Sequence, residues 1–454
     1  MFYRYTITGL IFIIFICLQI NPTYAKSRIS ERNKQIRQKE ALILERQKKA
    51  KPIVISEKST IEDYIKIGLE RNPGLRAAFY EWKSAFKKIA QVFSLPDPQF
   101  TYTDYIKEVE TRVGPQQKAF SIQQKFPFPD KLWIRKNKAF KASEIAYHNF
   151  AKKSLDLIYE ITEVYYEYAY LSKAIALTKE NMKLLGNFES VAQAKYRSGL
   201  AKNQDLLKVQ VELGKLENDL YSLEDLRTAL VARLNALLNL PQGNLLPWPN
   251  ESLEEITLDD KHADVNILFD SLNKDNPQLL ALSQNIKKNE DGLKLAKREF
   301  FPDFTLGLTQ IDTADALNPS SPDSGKDPLM VMFSVNVPIW IWRLNAGVAE
   351  ARASLQAAKE SRLNKENELS SKLALLHYKL RDSLRQSQLY KNALLPKAEQ
   401  TLNATKAGYE AGGVDFLSLI DAQRVLLNFQ LAYYRHNANF YQRLRELKTI
   451  LGKE

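Results

Sequence analysis

The chain has 454 residues, long enough for several domains, with 44% hydrophobic and 26% charged residues and a net charge of +12. Its single cysteine, Cys17, excludes a disulfide framework and a thiolate metal site. The four histidines, His148, His262, His377 and His436, are scattered without ligand-like spacing, so no metal site and no cofactor is expected.

Residues 1–25 have the layout of a secretory signal peptide. One Arg precedes an apolar run from Ile7 to Ile20, and Asn21-Pro22-Thr23-Tyr24-Ala25 sets the expected cleavage after Ala25. The run is shorter than the roughly 20 apolar residues of a spanning helix. Ile16 stands where a lipoprotein signal has a small residue before its cysteine, so no lipid anchor is expected at Cys17. A basic N-terminal arm follows over 26–55, with ten Lys/Arg against Glu31, Glu40 and Glu45 between residues 26 and 51. Such a block either touches anionic lipid headgroups or peptidoglycan, or is a solvated, partly helical tail. Nucleic acid is not an expected partner of an exported chain.

The remainder repeats itself. "RNPGLRAA" (71–78) has a partner in "DNPQLLAL" (275–282), and "LPDPQF" (95–100) in "FPDFTL" (301–306). "KFPFPDKLW" (125–133) pairs with "NVPIWIW" (336–342), and "YRSGLAKNQDLLKVQ" (196–210) with "YEAGGVDFLSLIDAQ" (409–423). The order is the same and the offset grows from 204 to 213 residues, which implies a duplication: a first repeat over 56–241, a connector over 242–270 and a second repeat over 271–454.

Each repeat reads helix, two strands, long helix, helix. Asn72-Pro73 and Asn276-Pro277 mark helix starts, because proline fits a first turn that needs no N–H bond. The first helix should stop before Pro96. Period-two alternation predicts strands: Phe100, Tyr102 and Ile106 against Gln99, Thr101 and Thr103, then Phe120, Ile122 and Phe126 against Ser121, Gln123 and Lys125. In the second repeat Phe304, Leu306 and Leu308 alternate with Thr305, Gly307 and Thr309, and Val331, Phe333, Val335 and Val337 with Met332, Ser334 and Asn336. Such strands suit a half-buried soluble sheet or a lipid-facing barrel wall equally. Four strands cannot close a barrel, and open edges are not tolerated in lipid, so a membrane role requires several copies to share one barrel. Trp133, Trp340 and Trp342 stand just past the strands, where an interface girdle would lie.

A helix from about Lys131 to Ala194 follows, too long for a compact domain. Beyond it, Leu206, Leu213, Leu220 and Leu234, with Val209, Leu216, Leu223, Leu230 and Leu237, make a heptad seam interrupted by Arg227. The corresponding second-repeat seam includes His436 and Arg443, which predict less regular packing, and Pro396 predicts a kink or break. The connector is punctuated by Pro and Gly and reads as irregular. No phosphate-cradling loop, nucleophile elbow or poised carboxylate pair occurs, so the protein is not expected to be an enzyme.

The doubled plan, with "LPDPQF", "QQKFPFPDKL" and the paired Tyr-x-x-Gly stretches ending in "LIDAQ", resembles the outer membrane efflux (TolC-like) family, and most its heavy-metal and cation branch. The resemblance covers about residues 56–454. It implies a mainly α fold with a small β portion. Four strands per chain would join a trimeric 12-stranded outer-membrane barrel, and long coiled-coil helices a 12-helix periplasmic tunnel. It implies a homotrimer in outer membrane lipid of a Gram-negative bacterium, working with a periplasmic adaptor (membrane fusion) protein and an inner-membrane pump. The function implied is a passive outlet duct for small molecules or metal cations. The channel of a type I protein secretion system and an exported structural coiled-coil protein stand as alternatives.

The same resemblance places Tyr196, Gly199 and Leu200, with Tyr409, Gly412 and Gly413, at periplasmic tips that the adaptor contacts. It places Asp205, Lys208, Asp421 and Ser418 at the gate. Ser418 stands where the family often has a second Asp, and Lys208 occupies the first-repeat slot equivalent to that of Asp421, so the two are candidates for a latch between adjacent tips. Plain helix-start residues are the alternative for Asp205 and Asp421.

Overall fold

The computed structural model describes residues 23–48, 55–250, 253, 256–258, 265–318 and 320–453. Most of the expected signal peptide, including Cys17, lies outside these residues. Helix α1 (Thr23–Lys48) belongs to a unit of its own and realises the helical form of the basic arm. The second unit contains everything from Val54 onward.

The second unit passes twice through one order of elements. It runs α2 (Ile61–Arg71), α3 (Pro73–Phe93), β1 (Gln99–Asp104), β2 (Gln116–Phe126), α4 (Pro129–Arg197) and α5 (Asn203–Leu238). Then come α6 (Val265–Asp275), α7 (Pro277–Arg298), β3 (Phe304–Thr313), β4 (Leu329–Val335), α8 (Ile341–Leu389), α9 (Leu395–Glu410) and α10 (Phe416–Ile450). Sequence periodicity placed each strand to within a few residues. It did not separate α2 from α3 or α6 from α7, and α6 begins inside the span assigned to the connector.

The Asn-Pro pairs do more than start helices. Asn72 accepts from the Leu75 N–H at 3.0 Å, and its amide donates to the Leu237 carbonyl at 3.0 Å. Asn276 accepts from Gln278 and Leu279 at 2.9 and 3.0 Å and donates to the Ile450 carbonyl at 2.7 Å. Each asparagine therefore caps one helix N-terminus and satisfies an orphan carbonyl at the end of α5 or α10. Both repeats are stapled head to tail by the same chemistry.

Helix α4 has 69 residues, or about 100 Å at 1.5 Å per residue. Its middle packs on α2 and α3 through an aromatic core in which Tyr64, Phe79, Trp82, Tyr165 and Tyr168 are at most 1% exposed. Along α5, Val209, Leu216, Leu230 and Leu234 are buried, as the seam predicts. Arg227, the seam's interruption, lies 4.2 Å from the Trp248 ring, and Trp248 stacks on Tyr168. The interruption thus serves the connector, whose Leu246 and Leu253 are buried.

Two expectations change in the second repeat. His436 stacks on Tyr390, with burial pushing its pKa down, and Arg443 pairs with Glu446 at 3.1 Å. The seam is filled by these groups, and Phe440, Leu447 and Ile450 around them stay buried. Pro396 does not break the helix. A π turn (Tyr390–Leu394) precedes it and absorbs the missing i→i−4 bond, so α8 passes into α9 without a gap.

The four strands form one antiparallel sheet in the order β1-β2-β3-β4. The register lines up Phe100, Ile122, Leu308 and Val331 in one row and Tyr102, Phe120, Gln310 and Leu329 in another. These rows form an apolar face, with Phe100 69% and Val331 77% exposed. Thr101, Ser121 and Thr309 lie in register on the opposite face. Strands β1 and β4 each pair on one side only.

The sheet is clasped to the helices beneath it. Lys131, 1% exposed, donates to Asp303 and to the Phe301 carbonyl, both at 2.9 Å, while the Phe128 N–H donates to the same carboxylate at 3.1 Å. Partial burial opposes the charge of Asp303, yet these donors and Lys125 hold its carboxyl below the usual range. The "FPFPDK" and "FPDF" motifs are the two halves of this clasp.

Candidate functional site

At the end of the helices opposite the sheet lie two hairpin tips. Tip one joins α4 to α5 and tip two joins α9 to α10. Gly199 has φ +77° and Gly412 φ +82°, the left-handed conformation that glycine takes without strain. The bonding is alike at both. Leu200 N–H donates to the Lys195 carbonyl and Gly199 N–H to that of Tyr196, while Gly413 N–H donates to Gly408 and Gly412 N–H to Tyr409. These are Schellman-type helix ends with glycine at the left-handed position, and they explain the repeated Tyr-x-x-Gly.

The side chains differ. At tip one Tyr196 is 45% and Leu200 78% exposed. At tip two Tyr409 is buried, and its ring lies 5.1 Å from that of Phe416, also buried. Gly413 sits beside Gly412 in the second turn.

Lys195, on the α4 side of tip one, crosses to tip two. Its ammonium donates to the carbonyl of Tyr409, and to that of Glu410 at 3.2 Å, and lies 4.4 Å from the Tyr409 ring. It thereby satisfies two carbonyls at the C-terminal end of α9, where a cation also complements the helix dipole. Burial and the nearby charge of Asp205 raise the Tyr409 pKa. The Tyr409 hydroxyl is buried without a hydrogen-bond partner.

Asp205 lies in the first turn of α5, as a helix-start residue would. Asp421 lies further into α10 and is mostly exposed, with an Arg424 contact at 3.6 Å. The start of α10 is instead capped by Asp415, which accepts from the Ser418 N–H at 3.0 Å. Hydrogen bonds from Ser418 lower the Asp415 pKa, and the charge of Lys208 lowers it further. Within one chain Lys208 therefore faces Asp415, and Asp421 faces Arg424. Lys208 and Asp421, expected from the sequence as a latch between adjacent tips, thus have other charged neighbours within the chain.

Sequence reasoning missed three groups. Asp415 was legible as the polar residue before an apolar helix start. Lys195 carried no signal, because its partners are backbone carbonyls 214 residues away. Arg424 and Glu212 form a two-bond pair at 3.0 and 2.9 Å, tying α10 to α5 with Glu212 9% exposed. The arginine's hydrogen bonds hold the Glu212 carboxyl below its ordinary pKa, against the effect of burial.

Trp340 and Trp342, 53% and 67% exposed, touch each other at 4.7 Å just beyond β4. Trp133 is half-buried against Phe93, with Lys136 4.6 Å from its ring. Among the described residues, no helix is long and apolar enough to cross a membrane and no group of side chains could hold a metal ion.

A family model described as outer membrane efflux protein matches residues 65–240 and again 268–453. The chain belongs to this family. As an outer membrane efflux protein it is a passive channel of the Gram-negative outer membrane that extends through the periplasm, and it is not an enzyme. It is similar to the cobalt-zinc-cadmium resistance protein CzcC of Cupriavidus metallidurans, 23% identical over 87% of this chain and 90% of that protein. The toxin and drug export protein A of Aggregatibacter actinomycetemcomitans is 25% identical over 41% of each chain. Among solved structures, the outer-membrane channel OprN superposes with a TM-score of 0.75 at 16% identity, over 87% of this chain and 90% of that one.

Proposed function

We propose that this outer membrane efflux protein is the outlet duct of a tripartite system that expels metal cations, working as a homotrimer with a periplasmic adaptor and an inner-membrane pump. The observation that carries the assembly is the sheet. It has four strands, an exposed apolar face and two edges paired on one side only. Lipid offers no partner for those edge groups, so copies must close them. Three copies supply twelve strands in one barrel, and the two helix pairs below each sheet supply twelve helices to one tunnel. The repeated order of elements fits a tandem duplication that gives each chain two such pairs.

The duct is passive. Asp205 and Asp421 place two carboxylates per chain near the tips, six per trimer, in a ring that attracts cations and repels anions. Lys208 and Ser418 modulate that ring, and ion pairs between adjacent tips hold the closed state. Adaptor contacts at Tyr196, Gly199, Leu200, Tyr409, Gly412 and Gly413 supply the differential binding that favours opening. The cation cargo rests on the similarity to CzcC. The partial similarity to a toxin and drug export protein favours a second reading, the channel of a protein secretion system.

The assembly is tested by fractionation and mass measurement. Recovery in outer membranes as a trimer is expected, and release by osmotic shock as a monomer would contradict it. A deletion strain that loses tolerance to metal salts but still secretes protein separates the two cargo readings.

A further inference from the structure

The two ends of the helical body differ in charge, one strongly basic and the other balanced. At the sheet end, the last thirteen residues of α3 and α7 and the first thirteen of α4 and α8 hold 15 Lys/Arg and 5 Asp/Glu. At the tip end, the equivalent stretches of α4, α5, α9 and α10 hold 6 of each. Thirteen residues rise about 20 Å, so the excess of ten positive charges forms a band directly below the sheet.

Internal needs do not account for this band. Lys131 is consumed by Asp303, Arg298 meets Asp130 at 3.0 Å, and Lys294 meets Asp291 at 3.2 Å. Lys87, Lys287, Lys297 and Arg343 remain exposed. Helix dipoles explain only part of it. They favour cations at the ends of α3 and α7 but anions at the starts of α4 and α8, where Asp130 is outnumbered by Lys131, Arg135, Lys136, Lys138 and Arg343.

Immediately above the band are the exposed Trp340 and Trp342 and the apolar face of the sheet. A ring of cations next to interface aromatics and an apolar wall matches a bilayer surface in layer order: headgroup phosphates, glycerol region, hydrocarbon. We propose that this band is a binding surface for anionic phospholipid headgroups of the periplasmic leaflet, fixing how deep the channel sits. The inference requires only that the sheet meets a bilayer. It does not depend on the cargo or on the gate.

The experiment uses the full-length chain, reconstituted in nanodiscs of phosphatidylcholine with and without phosphatidylglycerol. The phospholipid retained per chain after delipidation is then measured by mass spectrometry. The unaltered protein should retain phosphatidylglycerol over phosphatidylcholine by about tenfold, from charges that lie near the surface. A variant carrying Lys87→Gln, Lys287→Gln, Lys297→Gln and Arg343→Gln should lose most of that preference. Arg197→Gln, Lys202→Gln, Lys215→Gln and Lys406→Gln together remove the same charge from the tips and should leave it unchanged. High salt should erase the preference in the unaltered protein. Equal retention of the two lipids, or an undiminished preference in the first variant, overturns the proposal. So does a shifted reversal potential in that variant with unchanged lipid retention, because it would place these charges along the conducting path. Binding to purified peptidoglycan sacculi in preference to anionic vesicles overturns it as well.

Discussion

Tip one turns through Gly199 with Leu200 exposed and Lys202 at its α5 N-cap position, where no side chain caps the helix. Tip two turns through Gly412 with Tyr409 and Phe416 buried, Asp415 as a true N-cap, and Lys195 of the first hairpin holding its carbonyls. The backbone solution is shared because only a glycine-like φ lets an antiparallel helix pair close so tightly. The side chains have diverged into donor and acceptor. Tip one lends a cation and tip two supplies carbonyls, a cap and a plug. The two tips thus share the turn, while their side chains let the two hairpins clasp each other.

The largest way to break this arrangement is Arg424→Ala. It leaves the mostly buried Glu212 carboxylate without its two-bond partner and should cost about 2 kcal/mol in denaturant unfolding. Lys195→Met should cost about 1 kcal/mol, because two carbonyl bonds and a ring contact are lost together. Limited proteolysis should then cut tip two faster while tip one is unaffected. If both tips loosen equally, the clasp is not directional. Gly199→Ala and Gly412→Ala should each cost about 1 kcal/mol through backbone strain alone, since a Cβ meets no atom at either site. Equal costs would confirm that the turns are equivalent and only the side chains differ. Smallest is the cap contrast: Asp415→Ala should lower the denaturant midpoint slightly and Lys202→Asp should raise it.

Acid titrates the same comparison. Because Arg424 keeps Glu212 ionised in the fold, its contribution is complete above the unfolded-state carboxylate pKa of about 4.3. It is lost as pH falls through the lower folded value. The stability lost between neutral and acid pH should therefore be smaller in Glu212→Gln than in the unaltered protein.

Much of the fold was legible because its signals are local and periodic. Alternation in "QFTYTD" and "FTLGLT" marked strands, and the leucine seam of α5 marked a packed helix. The resemblance carried by the repeated Tyr-x-x-Gly stretches located both tips. What stayed hidden depends on distance. Lys195 reaches a backbone carbonyl 214 residues away, and Lys131 is buried by a carboxylate 172 residues on. Neither leaves a pattern along the chain. The break expected at Pro396 fails for a related reason: a π turn is chosen by the neighbours that hold it, not by the proline itself. Asp421 was singled out by its place in a motif, while the cap fell to Asp415 six residues earlier.

We propose that carboxylates at the tips govern passage through this duct. Single-channel recording in planar bilayers, comparing the unaltered protein with the Asp205→Ala/Asp421→Ala variant, tests it most directly. Cation selectivity is expected in the unaltered channel, with higher conductance or weaker block by multivalent cations in the variant. Unchanged conductance and unchanged block would contradict it.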